Sequence, residues 1–309
     1  MNTNTEGFLG ADSTYIPVYD TLKDLCLTTH LVREGKPVAT IVSPTSGAYD
    51  AHAADIAQAI EGITGVRVPI VSHDAPEAAV PIPGNLIALG NRSTNRTVEE
   101  LYNRYFCLLD LRYPGPGGHV VRTLHNPFGN GCNVVFAGGS DSAGVEAATA
   151  QLIVRIKKAG SSGGGQGELS LGWIADIELS PSFEIPESMH EFPLWGVSDA
   201  YGNSGVFTWT ILTKRAALYY LTGDPFHAKE FLRLAFPDEE AVKEIRAVDK
   251  GKVDVTDPLS GLDHYRSHKM IIYWDLIEES PVFTDEERLR VTNAFARQLK
   301  YRRKEGCYK

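Results

Sequence analysis

The period of the apolar positions changes partway along the chain. Between about residues 37 and 158, short β-rich runs alternate with stretches of helical spacing, and beyond about residue 204 the spacing is helical throughout. Runs at 37–42 (Pro-Val-Ala-Thr-Ile-Val), 66–71, 85–90, 117–124 and 133–137 predict strands. Between them, residues 48–63 set Ala53, Ile56, Ala57, Ile60 and Ile63 on one helix face, with Gly65 at its end. Residues 98–107 and 142–158 predict two more helices, the second with Val145, Ala148, Leu152 and Ile156 inward. Residues 15–31 read as irregular or as an edge strand, 160–167 (Gly-Ser-Ser-Gly-Gly-Gly-Gln-Gly) as a flexible loop, and 169–179 as a last strand. Such alternation is the signature of an α/β layer.

Three prolines interrupt the pattern at 180–193, which places a domain boundary there, with one domain over 1–185 and a second over 186–309. Helices are predicted at 206–221, 225–235, 239–248, 264–279 and 285–303. Their junctions carry stop and start signals. Gly223 suits a helix end, Asp224 a cap and Pro225 a first helical position. Thr284 with Glu287 makes a capping box. The fold class expected is α+β in two domains: a small α/β sandwich, then an all-α domain of helical hairpins.

Composition narrows the function classes. At 309 residues the chain exceeds what a single core usually supports, which is about 250–300 residues. Hydrophobic residues at 43% and charged ones at 22% describe a globular chain. A net charge of −9 does not favour nucleic acid, and the basic cluster at 300–304 lies at a predicted helix end, where it complements the dipole. No apolar run is long enough for a membrane helix. Residues 1–10 carry no signal-peptide pattern, so the chain is expected to be cytoplasmic, or secreted with its signal removed. The four cysteines are widely spaced and form no C-x-x-C pair; Cys107 and Cys132 read as buried free thiols.

The richest chemistry lies in 264–279. On a helix His264 and His268 share a face, with Asp275 about two turns on, while Met270, Ile271, Trp274 and Ile277 form an apolar stripe. The histidine spacing suits a metal, but the zincin glutamate is missing and Arg266 and Lys269 are close, so no metal and no cofactor is expected. General acid–base catalysis suits the cluster better. His264, Tyr265 and His268 are the types that remove a proton, and Arg266 is the type that neutralises a carboxylate. Solvent-facing helix polars would look the same. A second group, Trp195, Asp199, Tyr201 and Asn203, offers an aromatic face and hydroxyl-binding groups suited to sugars, with Asp199 a candidate general acid. Ordinary turn chemistry gives similar residues. Gly138-Gly139-Ser140-Asp141 reads as a strand-to-helix turn capped by Ser140 or Asp141 more than as an anion cradle.

Residues 37–158 resemble the small non-catalytic α/β domain of hexosaminidases and α-glucuronidases. The resemblance rests on the stretch ending in Ile63-Thr-Gly-Val66, on the strand 86–90, and on Gly138-Gly-Ser-Asp-Ser-Ala-Gly-Val-Glu-Ala-Ala148. The second domain resembles the start of an (α/α) toroid of polysaccharide lyases and unsaturated-uronyl hydrolases. Ala217-Leu-Tyr-Tyr-Leu-Thr-Gly-Asp-Pro225 and residues 273–287 carry that likeness. The resemblance implies a carbohydrate-active enzyme with a polysaccharide or oligosaccharide partner, either a lyase acting on uronic-acid glycans or a glycoside hydrolase. A non-catalytic glycan-binding or assembly module is the alternative. A complete toroid needs more helices than residues 204–303 hold, so the chain is expected to belong to a longer enzyme or to complete its core by association.

Overall fold

A computed structural model describes residues 18–185, 209–248, 259 and 267–302. The chain is mixed α and β and falls into two compact units: Asp24–Glu184, and Met1–Lys23 together with Ile185–Lys309.

In the first unit the strands are β1 (Thr29–Arg33), β2 (Lys36–Pro37), β3 (Ala39–Ser43), β4 (Ile70–Ser72), β5 (Asn85–Leu89), β6 (His119–Leu124), β7 (Val134–Gly139), β8 (Leu169–Leu171) and β9 (Ala175–Glu178). Six form one sheet in the order β4-β3-β5-β7-β6-β9, parallel from β4 to β7 and antiparallel at β6 and β9. The other three make a small antiparallel sheet, β2-β1-β8. The single strand expected at 169–179 is thus two, β8 pairing with β1 and β9 with β6. The central strands are apolar on both faces, as a covered parallel sheet requires: Ile41, Ile87 and Val135 are buried on one face and Val42, Ala88 and Phe136 on the other.

Three helices belong to this unit: α1 (Asp50–Thr64), α2 (Arg96–Asn103) and α3 (Ser142–Ser162). In α1, Ala53, Ile56, Ala57 and Ile60 are buried at helical spacing, and Gly65 ends the helix in the left-handed conformation. The inward set of α3, Val145, Ala148, Leu152 and Ile156, is fully buried with them. α3 runs past residue 158 into the stretch expected to be a loop. The reason is packing: a Cβ on Gly160 would stand 2.9 Å from Ile63 of α1, so the glycine serves a helix–helix contact. α2 stops before the expected residue 107, where Tyr105 takes a positive φ and Phe106 N–H closes onto the Leu101 carbonyl. Cys107 is a buried free thiol, whereas Cys132 is only half-buried. Asp141 caps α3 by accepting from Gly144 N–H at 2.9 Å, and also accepts from Gly117 N–H, which accounts for the Gly138–Asp141 turn without an anion.

The helical unit contains α4 (Trp209–Thr222), α5 (Pro225–Ala235), α6 (Glu239–Val248), α7 (Ser267–Ile277) and α8 (Asp285–Arg302). α4 packs against both α5 and α7. The junctions follow the sequence signals. Gly223 (φ 71°) closes α4, and Asp224 accepts from Phe226 N–H at 2.9 Å with Pro225 at the first position of α5. Thr284 and Glu287 exchange the two capping-box hydrogen bonds, at 3.2 and 2.8 Å. The far end of α7 is held by buried Arg288, whose guanidinium donates to the Glu278 and Ser280 carbonyls at 2.7 Å each. The Ser280 carbonyl also accepts from Phe283 N–H at 3.1 Å. Trp274 lies in the core, stacked on Phe231 and tilted against Phe283.

Candidate functional site

Helical spacing builds a cleft of about 870 Å³ in this unit. α7 turns Ile271, Trp274 and Asp275 onto one face, and Glu278, in the turn directly after it, continues the i, i+3, i+4, i+7 series. α8 answers with Leu289, Thr292, Phe295 and Ala296. The third wall is the segment 18–23, which contributes Val18, Tyr19, Thr21, Leu22 and Lys23. That segment has no helix or strand of its own to hold it. Asn293 does so, its side-chain oxygen accepting from the N–H groups of Val18 and Tyr19 at 2.7 and 2.8 Å, and its amide donating to the Tyr19 carbonyl at 2.9 Å.

The cleft has an apolar floor and a charged rim. Lys23 forms an ion pair with Glu278 and stands 3.8 Å from Asp275. The Glu278 side chain is buried, and that burial raises its carboxyl above the usual range despite the pull of Lys23. Burial alone would lower Lys23, but its hydrogen bond to Glu278 and the surrounding carboxylates leave it raised. The adjoining Glu279 is pushed up to about 8, first by burial and then by the neighbouring Glu278 charge. Trp274 is only 4% exposed, and its indole N–H finds no acceptor among the described residues. The Thr292 hydroxyl, on the opposite wall, likewise lacks a partner there.

His264, Tyr265, Arg266, Trp195, Asp199, Tyr201 and Asn203 lie outside the described residues, and so does the side chain of His268, whose backbone sits in the first turn of α7. Asp275 does face the cleft. Lys23, Glu278 and Thr292 are the groups that sequence reasoning missed. The period-3.6 pattern through 271–278 carried a signal for Glu278, but none linked Lys23 to a helix some 250 residues later. Among the described residues no three His, Cys, Asp or Glu side chains are grouped to hold a metal ion, and no helix is long and apolar enough to cross a membrane. No protein-family model matches the sequence, and no curated protein matches it.

Proposed function

We propose that the protein acts on polysaccharide, with its helical unit, read as part of an (α/α) toroid, holding a glycan chain in the α7–α8 cleft. The observation that carries the reading is the composition of that cleft. Ile271, Trp274 and Phe295 line an apolar floor for the C–H faces of sugar rings, and the exposed Asp275 and Lys23 provide the hydroxyl-binding rim, with Glu278 buried behind them. The favoured reaction is β-elimination on a uronic-acid glycan. His264, Tyr265 and His268 supply the base in this reading, Arg266 or Lys23 neutralises the uronate carboxylate, and Trp195, Asp199, Tyr201 and Asn203 bind sugar. Hydrolysis is the second reading. It is favoured by Glu278, a buried carboxyl kept protonated more readily than usual, three residues after the exposed Asp275. The α/β unit is then an accessory domain.

Incubation with a panel of uronic-acid and neutral glycans tests the proposal. Elimination leaves an unsaturated ring and a rise in ultraviolet absorbance. Reducing ends that appear without that absorbance would replace elimination by hydrolysis. Neither signal, with glycan still bound, would leave a binding module.

A further inference from the structure

The α/β unit has a second concave site, and the sheet topology explains its position. The connection after β3 runs through α1 to β4, on one side, while the chain leaving β4 crosses back to β5 on the other side of β3. Successive connections therefore diverge at the carboxyl ends of β3 and β5, the crevice where open α/β sheets bind their ligands. Three loops meet there on one imidazole. His73, after β4, accepts from the N–H of Arg96, after β5, at 3.3 Å through Nδ1. That tautomer leaves Nε2–H to donate to Thr45 Oγ1, after β3, at 3.3 Å. Beside it opens a cavity of about 280 Å³. Its floor is Ala75, Ala78, Ala79 and Val80, fixed by Thr97 Oγ1 donating to the Ala78 carbonyl at 3.1 Å. Its polar wall is Asp74, Arg96 and Glu100, with Arg96 Nη1 3.7 Å from Asp74 Oδ1.

We infer that this cavity binds one neutral sugar ring, the floor packing on the ring's C–H face and the Asp74–Arg96 pair taking a vicinal diol. Two neighbouring hydroxyls can donate to the carboxylate and accept from the guanidinium without separating the pair, which a zwitterion or a free carboxylate would have to do. Two carboxylates, Asp74 and Glu100, line the cavity with the single guanidinium of Arg96, which disfavours a uronate. The volume suits a single ring more than a chain. The site makes the α/β unit a glycan-holding module whatever reaction the helical unit performs.

Saturation-transfer NMR on the whole protein provides the test, with methyl β-glucopyranoside, glucuronate and L-alanine as separate probes at millimolar concentration. The ring protons of the glucoside should receive saturation, and glucuronate should receive less. Arg96→Ala and Asp74→Asn should each weaken glucoside binding about tenfold, the loss expected of a charged hydrogen-bond partner. Both side chains are more than half exposed, so both variants should keep the parent melting temperature. Saturation that survives both substitutions would place sugar binding elsewhere and overturn the inference. So would saturation of L-alanine alone, or of none of the three probes.

Discussion

Asn293 grips Tyr19 by both polar groups of its backbone, its side-chain oxygen accepting from Tyr19 N–H at 2.8 Å and its amide donating to the Tyr19 carbonyl at 2.9 Å. Asn293 is fully buried on α8, so a lost bond is not replaced by water at no cost. Asn293→Leu should destabilise the helical unit by about 1–3 kcal/mol, the usual cost of stranding buried polar groups. It should also free the 18–23 segment. Limited proteolysis would show faster cleavage there in the variant. Equal cleavage rates in variant and parent would mean that the segment is held by other contacts.

Glu279 makes a prediction about pH. Its carboxyl is raised to about 8 in the folded protein, against 4.5 for an ordinary glutamate. Between those values the native state binds the proton and the unfolded state does not. Stability contributed by this group is therefore full below about pH 4.5 and is lost as pH climbs toward 8. One proton changes stability by at most about 1.4 kcal/mol per pH unit. Glu278 is raised too and acts with the same sign, so the variant Glu279→Gln isolates the effect. Urea melts at about pH 5 and about pH 9 should show a smaller fall in stability for Glu279→Gln than for the parent. Parallel curves would remove Glu279 from the explanation.

The elements that sequence located best were those whose signals are local. The capping box of Thr284 and Glu287, the Gly223-Asp224-Pro225 junction and the buried faces of α1 and α3 each depend on residues a few positions apart. The misread elements depend on distant partners. Gly160 looks like a loop residue until Ile63 is seen against it, and 169–179 looks like one strand until β1 and β6 claim its two halves. The candidate cleft divides in the same way. Helical spacing set Asp275 on a polar face and Ile271 and Trp274 in a separate packing stripe, yet all three line the one cleft, and Lys23 acquires its meaning only when the chain brings it to Glu278.

The cysteines should react unequally. Burial pushes the Cys107 thiol up to about 12, which removes the thiolate that alkylating reagents require. Cys132 is half-buried, and Cys26 is raised by burial and by the nearby Asp24 carboxylate. Among the three described cysteines, iodoacetamide labelling of the native protein at about pH 8, mapped by peptide mass, should modify Cys132 first, Cys26 more slowly and Cys107 only after denaturation. Native labelling of Cys107 would show that its surroundings open readily.

The Lys23–Glu278 pair joins an exposed ammonium to a carboxylate whose side chain is only 4% exposed, so removing either member has unequal consequences. Lys23→Met leaves a buried carboxylate without its ion-pair partner and with only the weaker field of Arg288, while Glu278→Gln leaves an ammonium that water can still solvate. At neutral pH, Lys23→Met should therefore be the more damaging single change. The double variant Lys23→Met/Glu278→Gln should recover part of the loss, with a coupling of about 0.5–3 kcal/mol. Losing Lys23 also raises the Glu278 carboxyl further, since Lys23 lowers it more than Arg288 does. A proton then substitutes for the missing lysine in acid, so the Lys23→Met penalty should shrink as pH falls and grow as it rises. A double-mutant cycle measured by urea unfolding at acidic and neutral pH reads both effects. A penalty independent of pH would mean that Lys23 acts by packing its alkyl stem against the cleft wall and not through its charge.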